Sequence, residues 1–317
     1  MKVNLVLGAG GARGFAHVGV IQELHARGHE VVGVAGTSMG ALVGGVLAAG
    51  GLDGFTDWVR ALTRTDIVRL TDLTLGAPGL IRLQRVMREL HRFIGDVRIE
   101  ELPIPYTAVA TDIDSEREVW FRHGPLVAAM RASIAIPAVF TPVRIGERLL
   151  VDGGLLNPLP MAPAMDMPGE ASVGVSLFGR RPGLQMGLPS KESSDEASAD
   201  NTDIATDAGE PPWTTRLAHS VAESWPVRNL NRMLTPVPPP PKAFEDWPAD
   251  VNLADLLGRS LDIMQGRIEI ARTVLNTPEV LVWVPMDACS VLDFHRAEEM
   301  IELGRKVAIE EFDRMGL

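Results

Sequence analysis

The sequence predicts an α/β protein in which helices cross a largely parallel sheet. Three observations carry that reading. Residues 3–49 alternate short apolar runs with helical spacing in the order β-α-β-α, the pattern of a strand buried on both faces and a chain that returns through a helix. Hydrophobic residues make up 46% of the chain but aromatics only 5%. Ala, Gly, Val and Leu therefore dominate the apolar fraction, which suits helices packed closely on a sheet better than an all-β sandwich. The length of 317 residues is enough for one large α/β domain or two small ones, and a single domain over 1–317 is expected.

The elements follow in order. Val3 to Leu7 is a short apolar run ended by glycines and reads as a buried strand. Phe15 to Arg27 places Val18, Ile21 and Leu24 on one helical face, with Gly28 as the residue that ends the helix. Val31 to Ala35 is a second strand, and a helix-forming run, Ala41 to Ala49, follows it. Tyr106 to Ala110, Glu118 to Phe121, Phe140 to Ile145, Ala171 to Phe178 and Val280 to Val284 read as strands. So does the run Leu149-Leu150-Val151. Leu126 to Ala132 reads as a helix that stops before Pro137. Amphipathic helices are expected over about 253–275 and 294–314, and no strong basic amphipathic helix is read.

One stretch breaks the pattern. Leu188 to Pro212 holds seven acidic residues against Lys191, a net −6 within a chain of −11. With almost no large apolar side chains, it cannot offset its ordering entropy and reads as a disordered insertion. Thr235 to Pro241 contains five prolines and reads as stiff polyproline II. Trp213, Trp225 and Trp247 flank these loops, either as core residues or as part of a lid.

Bulk properties limit the function. A net charge of −11 argues against a general nucleic-acid surface. The single cysteine, Cys289, allows no internal disulfide and no cysteine-based metal site, so a cytoplasmic location, with peripheral contact at a membrane left open, is the simplest expectation. The longest apolar stretch, Ala41 to Leu52, has 12 residues and is too short to span a bilayer. The N-terminal run Val3 to Leu7 is too short for a secretory signal.

The chemistry gathers around Ser38. It lies in Gly36-Thr37-Ser38-Met39-Gly40, between a strand and a helix. A G-x-S-x-G segment there forms a sharp turn that exposes the hydroxyl, and Gly36 and Gly40 keep side chains out of its way. A serine needs a base within hydrogen-bond reach. Asp152 is the leading candidate, because it ends a strand-like run and precedes Gly153 and Gly154 on an open turn. Capping a turn is the alternative role for such an aspartate.

Attack on an ester also creates an oxyanion that needs preorganised donors. Gly8-Ala9-Gly10-Gly11-Ala12-Arg13-Gly14 lies between a strand and a helix, where successive backbone N–H groups can converge. Arg13 would position this loop or orient an acyl substrate. A dinucleotide-binding turn is the competing reading, but the third glycine of that pattern would fall on Arg13. A Ser-His-Asp triad with His219 or His295 also remains open. His17 reads as a first-turn helix residue, and no histidine pair has metal-ligand spacing.

Taken together and in this order, the three segments resemble the patatin-like phospholipase family. Gly10 to Gly14 resembles its oxyanion loop, Gly36 to Gly40 its nucleophile elbow, and Asp152-Gly153-Gly154 its catalytic Asp-Gly motif. Arg131-Ala132-Ser133-Ile134-Ala135-Ile136-Pro137 and Ala110-Thr111-Asp112 are weaker matches in the right order, and the stretch from Asp293 to Gly304 resembles the closing helix of bacterial members. The resemblance implies a three-layer α/β/α sandwich with a mostly parallel central sheet. It implies a Ser38–Asp152 dyad without a catalytic histidine, an oxyanion hole from Gly10, Gly11, Ala12, Arg13 and Gly14, and no metal or organic cofactor. The expected partner is a lipid ester, hydrolysed through an acyl-enzyme as in a phospholipase A or lysophospholipase. The alternative is a non-catalytic lipid- or partner-binding module that keeps the same fold.

Overall fold

The computed structural model describes residues 1–72, 81–179 and 253–317. These fall in one unit, Met1–Arg181 with Leu253–Leu317. The acidic insertion, the proline-rich loop, the three tryptophans beside them and His219 lie outside the described residues.

Strands β1 (Lys2–Leu7), β2 (Glu30–Thr37), β3 (Tyr106–Asp112), β4 (Arg117–Phe121), β5 (Val143–Ile145), β6 (Arg148–Asp152), β7 (Ala171–Gly179) and β8 (Val280–Pro285) form one sheet. β3, β2, β1, β7 and β8 lie side by side and parallel, while β4, β5 and β6 add antiparallel pairs beyond β3. Parallel strands are covered on both faces, and every residue of β1 after Lys2 is buried. Successive residues alternate between the two faces. Leu5 and Leu7 enter the large core with the helices, whereas Val6 packs with Ala35, Leu159 and Met161 in a smaller core on the opposite face.

On the large-core face lie α1 (Ala16–Ala26), α2 (Met39–Ala48), α6 (Leu126–Ser133) and α9 (Ala297–Met315). Gly19 of α1 and Gly304 of α9 let these two helices touch backbone to backbone. A Cβ on either would overlap the partner's carbonyl, at Ile301 or Ala16. On the other face lie α7 (Met161–Ala164) and α8 (Leu253–Thr273). The result is a mixed α/β fold with a mostly parallel sheet between helices, as the sequence predicts.

The register around β3 positions the chemistry. Ala108 and Val109 pair with β2 on one edge and with β4 on the other. Ala110, Thr111 and Asp112 pair with β4 and with β6. A strand has only two edges, so β2 and β6 share one of them and approach from opposite directions. β2 ends with Thr37 opposite Val109, and β6 ends with Asp152 opposite Ala110. Two strands from distant parts of the chain thus meet head-on, one register step apart.

Several details differ from the sequence reading. The strand expected from Phe140 begins only at Val143. Pro142 has no N–H for a ladder, and Phe140 instead forms an isolated bridge with Ile81. The final helix opens with a single tight turn, Phe294–Arg296, and closes at Gly316 in the left-handed region (φ 73°). Helices α3 (Leu52–Arg60), α4 (Arg64–Leu70), α5 (Gln84–Ile94) and α7 were not anticipated. α5 is a basic amphipathic helix that the sequence reading did not single out. Met87, Leu90 and Ile94 are buried along one side, while Arg85, Arg88 and Arg92 are exposed.

Candidate active site

Ser38 sits where β2 hands over to α2, with φ 56° and ψ −124°. Non-glycine residues adopt this region only where their surroundings impose it. The constraints are identifiable. The Ser38 N–H donates to Ser133 Oγ at 2.9 Å, and that hydroxyl donates to the Val109 carbonyl at 2.6 Å. Thr37 Oγ1 donates to the Asn157 carbonyl at 2.8 Å. A Cβ on Gly40 would overlap the Leu7 carbonyl, and one on Gly36 would come within 2.5 Å of the Gly40 backbone. The elbow therefore needs glycine at both positions for close packing, even though neither has positive φ.

The head-on meeting of β2 and β6 brings the Ser38 hydroxyl to Asp152. Ser38 Oγ donates to Asp152 Oδ2 at 2.5 Å. The other carboxylate oxygen accepts the Gly154 N–H at 2.7 Å, and the Asp152 N–H donates to the Ala135 carbonyl at 2.9 Å. Asp152 is 2% exposed. Burial pushes its carboxyl up to about 7, against the opposing pull of the hydrogen bonds from Ser38 and Gly154. Asp152 also caps its turn, the alternative role the sequence allows for it.

The glycine loop follows β1. Its carbonyls are held from behind by two buried side chains. His17 Nε2 lies 2.9 Å from the Gly8 carbonyl, and Arg13 Nε donates to the Gly10 carbonyl at 3.1 Å. In a planar trans peptide the C=O and the following N–H point in opposite directions. Fixing the Gly10 carbonyl therefore aims the Gly11 N–H the other way. Gly11 has φ 57° and lies so close to Val291 that a Cβ would overlap its carbonyl. Only glycine meets both conditions. The Ala12 N–H is already donated to the Val291 carbonyl at 2.8 Å. Arg13 and Gly14 lie within the tight turn Gly11–Phe15, with Gly14 packed against Met39.

Arg13 is fully buried. Besides Gly10, its guanidinium donates to the Met286 carbonyl at 2.7 Å and to Asp262 Oδ1 at 2.6 Å, and it lies 5.5 Å from the Phe178 ring centroid. The guanidinium is thus engaged with the loop, Met286 and α8. Asp262 belongs to a polar stripe on α8. A Cβ on Gly154 would come within 2.8 Å of Gln265 Nε2, Glu269 is buried, and Arg272 pairs with Glu118 at 2.6 Å. Residues 262, 265, 269 and 272 recur at helical spacing.

An apolar cavity of about 250 Å³ opens beside Ser38 and Gly11. Leu42 and Phe55 form part of its floor, while Ile67 and Leu70 of α4 and Val86 and Leu90 of α5 form a wall. Thr71 is the other polar residue that lines it. The unanticipated helices α3 to α5 therefore help enclose the cavity.

Histidine has no part in this arrangement among the described residues. Asp152 bonds to Ser38 and Gly154. His17 faces a carbonyl, so Nε2 carries its proton, and burial lowers it to about 4. His295 lies in the Phe294–Arg296 turn. No cluster of three or more His, Cys, Asp or Glu side chains suited to a metal occurs among the described residues. No described helix is long and apolar enough to cross a membrane.

Sequence reasoning named Ser133 only as part of a motif and missed Asn157 and Asp262. Their signal is a polar side chain amid apolar packing, which becomes meaningful only once its partner is placed. The helical spacing of Met87, Leu90 and Ile94 could have revealed α5.

Comparison with known proteins matches the chain to a family. An uncharacterised NTE family protein of Mycobacterium tuberculosis (strain ATCC 25618 / H37Rv) is 38% identical across 98% of this chain and 91% of its own length. Patatin-like phospholipase domain-containing protein 6 of Mus musculus is 31% identical across 55% of this chain and 13% of that protein. Among solved structures, VipD from Legionella pneumophila aligns with 99% of this chain and 67% of its own at 12% identity and a TM-score of 0.43. The family model described as patatin-like phospholipase matches residues 5–165, and the chain belongs to the patatin-like phospholipase family.

Proposed function

We propose that the chain is a serine lipid acyl hydrolase of phospholipase A or lysophospholipase type, working through a Ser38–Asp152 dyad. Family membership supports lipid hydrolysis in general. The observation that carries the finer reading is the 2.5 Å hydrogen bond to a buried carboxylate from Ser38, which lines an apolar cavity. An ordinary aspartate is a weak base for a serine hydroxyl. Burial raises Asp152 to about 7, into the range where a general base works well at neutral pH.

In this reading an ester enters with its acyl chain along the cavity. Ser38 Oγ attacks the carbonyl carbon while Asp152 takes the hydroxyl proton. The carbonyl oxygen becomes the oxyanion, stabilised by the Gly10 and Gly11 N–H groups. Ala12 serves the loop through its bond to Val291, and Arg13 holds the loop in place. The tetrahedral intermediate collapses as Asp152 returns the proton to the leaving alcohol. Water then attacks the acyl-enzyme with Asp152 again as base, which releases the fatty acid and restores Ser38. No step calls on a histidine, a metal or an organic cofactor.

The test is intact mass after incubation with a fluorophosphonate ester, with and without detergent. One adduct on the wild type, absent from Ser38→Ala and strongly reduced in Asp152→Asn, is expected. An unlabelled wild type under every condition would favour the non-catalytic binding module.

A further inference from the structure

The cavity wall carries a charge that the rest of the chain does not. Residues 60–92 hold seven arginines against Asp66, Asp72 and Glu89, a net +4 in a chain whose total is −11. Six of those arginines sit on helices that enclose the cavity, and Arg82 lies just before α5. α4 lines it with Ile67 and Leu70, and α5 with Val86 and Leu90. No residue of α4 is buried, so one helix thickness separates cavity from solvent there. Arg64, Arg69, Arg82, Arg85, Arg88 and Arg92 are all exposed. Arg85 reaches back to the Arg69 carbonyl and so ties α5 to α4.

Apolar side chains stand beside this basic face. Val68, on the same turn of α4 as two cavity-lining residues, is 72% exposed. Leu292 both lines the cavity and is 48% exposed. α4 lies against the Phe294–Arg296 turn, so Val68 and Leu292 belong to neighbouring segments of the rim. Exposed aliphatic groups beside a basic face match the interfacial region of an anionic bilayer, where lipid tails lie just beneath negative headgroups.

We propose that α4 and α5 dock the protein on an anionic lipid surface, with the arginines against headgroups and Val68 and Leu292 at the acyl boundary. The proposal rests on the acyl-hydrolase reading, because it gives the cavity a route for lipid that avoids water. The charge asymmetry also orients the encounter, since the rest of the chain carries −15 when these residues are set aside.

The test uses the full chain in vesicle co-sedimentation. Vesicles of phosphatidylcholine alone are compared with vesicles that also contain phosphatidylglycerol, at low and high salt. Binding is expected to depend on phosphatidylglycerol and to weaken with salt. Arg64→Gln/Arg88→Gln should reduce it at least about tenfold. Val68→Ser should weaken it further without changing its salt dependence. Hydrolysis of a soluble short-chain ester by the same samples should stay at the wild-type rate. Equal binding to neutral and anionic vesicles, or an unaffected double variant, would overturn the proposal. So would ultracentrifugation showing that the patch joins two copies of the chain and that the double variant separates them. A wild type that binds anionic vesicles but cleaves no ester would overturn the hydrolase reading and leave the docking surface standing.

Discussion

The two faces of the sheet do different work. The face that carries α1, α2, α6 and α9 is an apolar core, where backbones approach through glycines and the cavity grows from the same packing. The face that carries α8 has a small apolar core and a polar stripe. Asp262 holds Arg13, Glu269 is buried, and Arg272 pairs with Glu118, which also accepts from Asn157. α8 leaves Leu256, Leu257, Ile263 and Met264 exposed, while Asp262 turns to the buried Arg13 and Glu269 is buried. One face stabilises the fold through area removed from water. The other spends polar contacts on holding the glycine loop and the turns around Ser38 and Asp152 in place.

Breaking the proposed dyad is the severest intervention. Asp152→Asn should lower turnover by at least about 10⁴-fold yet leave the fold intact, checked by steady-state kinetics and thermal melting. The same variant separates activity from stability through pH. Asp152 titrates near 7 when folded, well above an unfolded aspartate. Between those values the folded state binds more protons, so this group's contribution to stability is full at low pH and is lost as pH rises towards 7. The wild type should gain activity with rising pH through about 7, and Asp152→Asn should melt higher than the wild type above that point. A flat activity profile with no stability gain would remove Asp152 as the base.

Next in size is the clamp from the polar face. Asp262→Ala strands a fully buried guanidinium and should cost about 3 kcal/mol of stability. It should also lower kcat more than KM, because the Arg13 side chain that anchors the Gly10 carbonyl is no longer held by α8. Asp262→Glu should recover part of the turnover, and its failure to do so while stability returns would make the residue purely structural. The cavity comes third. Val86→Trp should reduce hydrolysis of long-chain esters by about tenfold while short-chain esters change little. A uniform loss for all chain lengths would move the acyl site elsewhere. Smallest is the exposed pair Arg60–Glu298, with side chains 36% and 58% exposed. Arg60→Ala should cost less than about 1 kcal/mol in a denaturant melt, and a larger loss would erase the contrast between buried and surface ion pairs.

The site was legible in the sequence where its chemistry depends on local backbone geometry. Gly36-Thr37-Ser38-Met39-Gly40 announces a tight strand-to-helix turn, and Gly10-Gly11 a loop that tolerates positive φ. α3, α4 and α5 were not legible. α4 buries nothing and so has a weak apolar stripe, and α5 carries three buried side chains between arginines. Arg13 was readable as a loop residue, but its partner lies 249 positions away.

By itself the sequence determined the strand–turn–helix units, the residues that must be glycine, and the serine at the strand-to-helix turn, because each depends on backbone sterics within a few residues. Only the tertiary structure decided that β2 and β6 share an edge of β3, which brings Ser38 within hydrogen-bond reach of Asp152. It also decided how far the Asp152 carboxyl is raised, because that depends on burial by residues scattered along the chain.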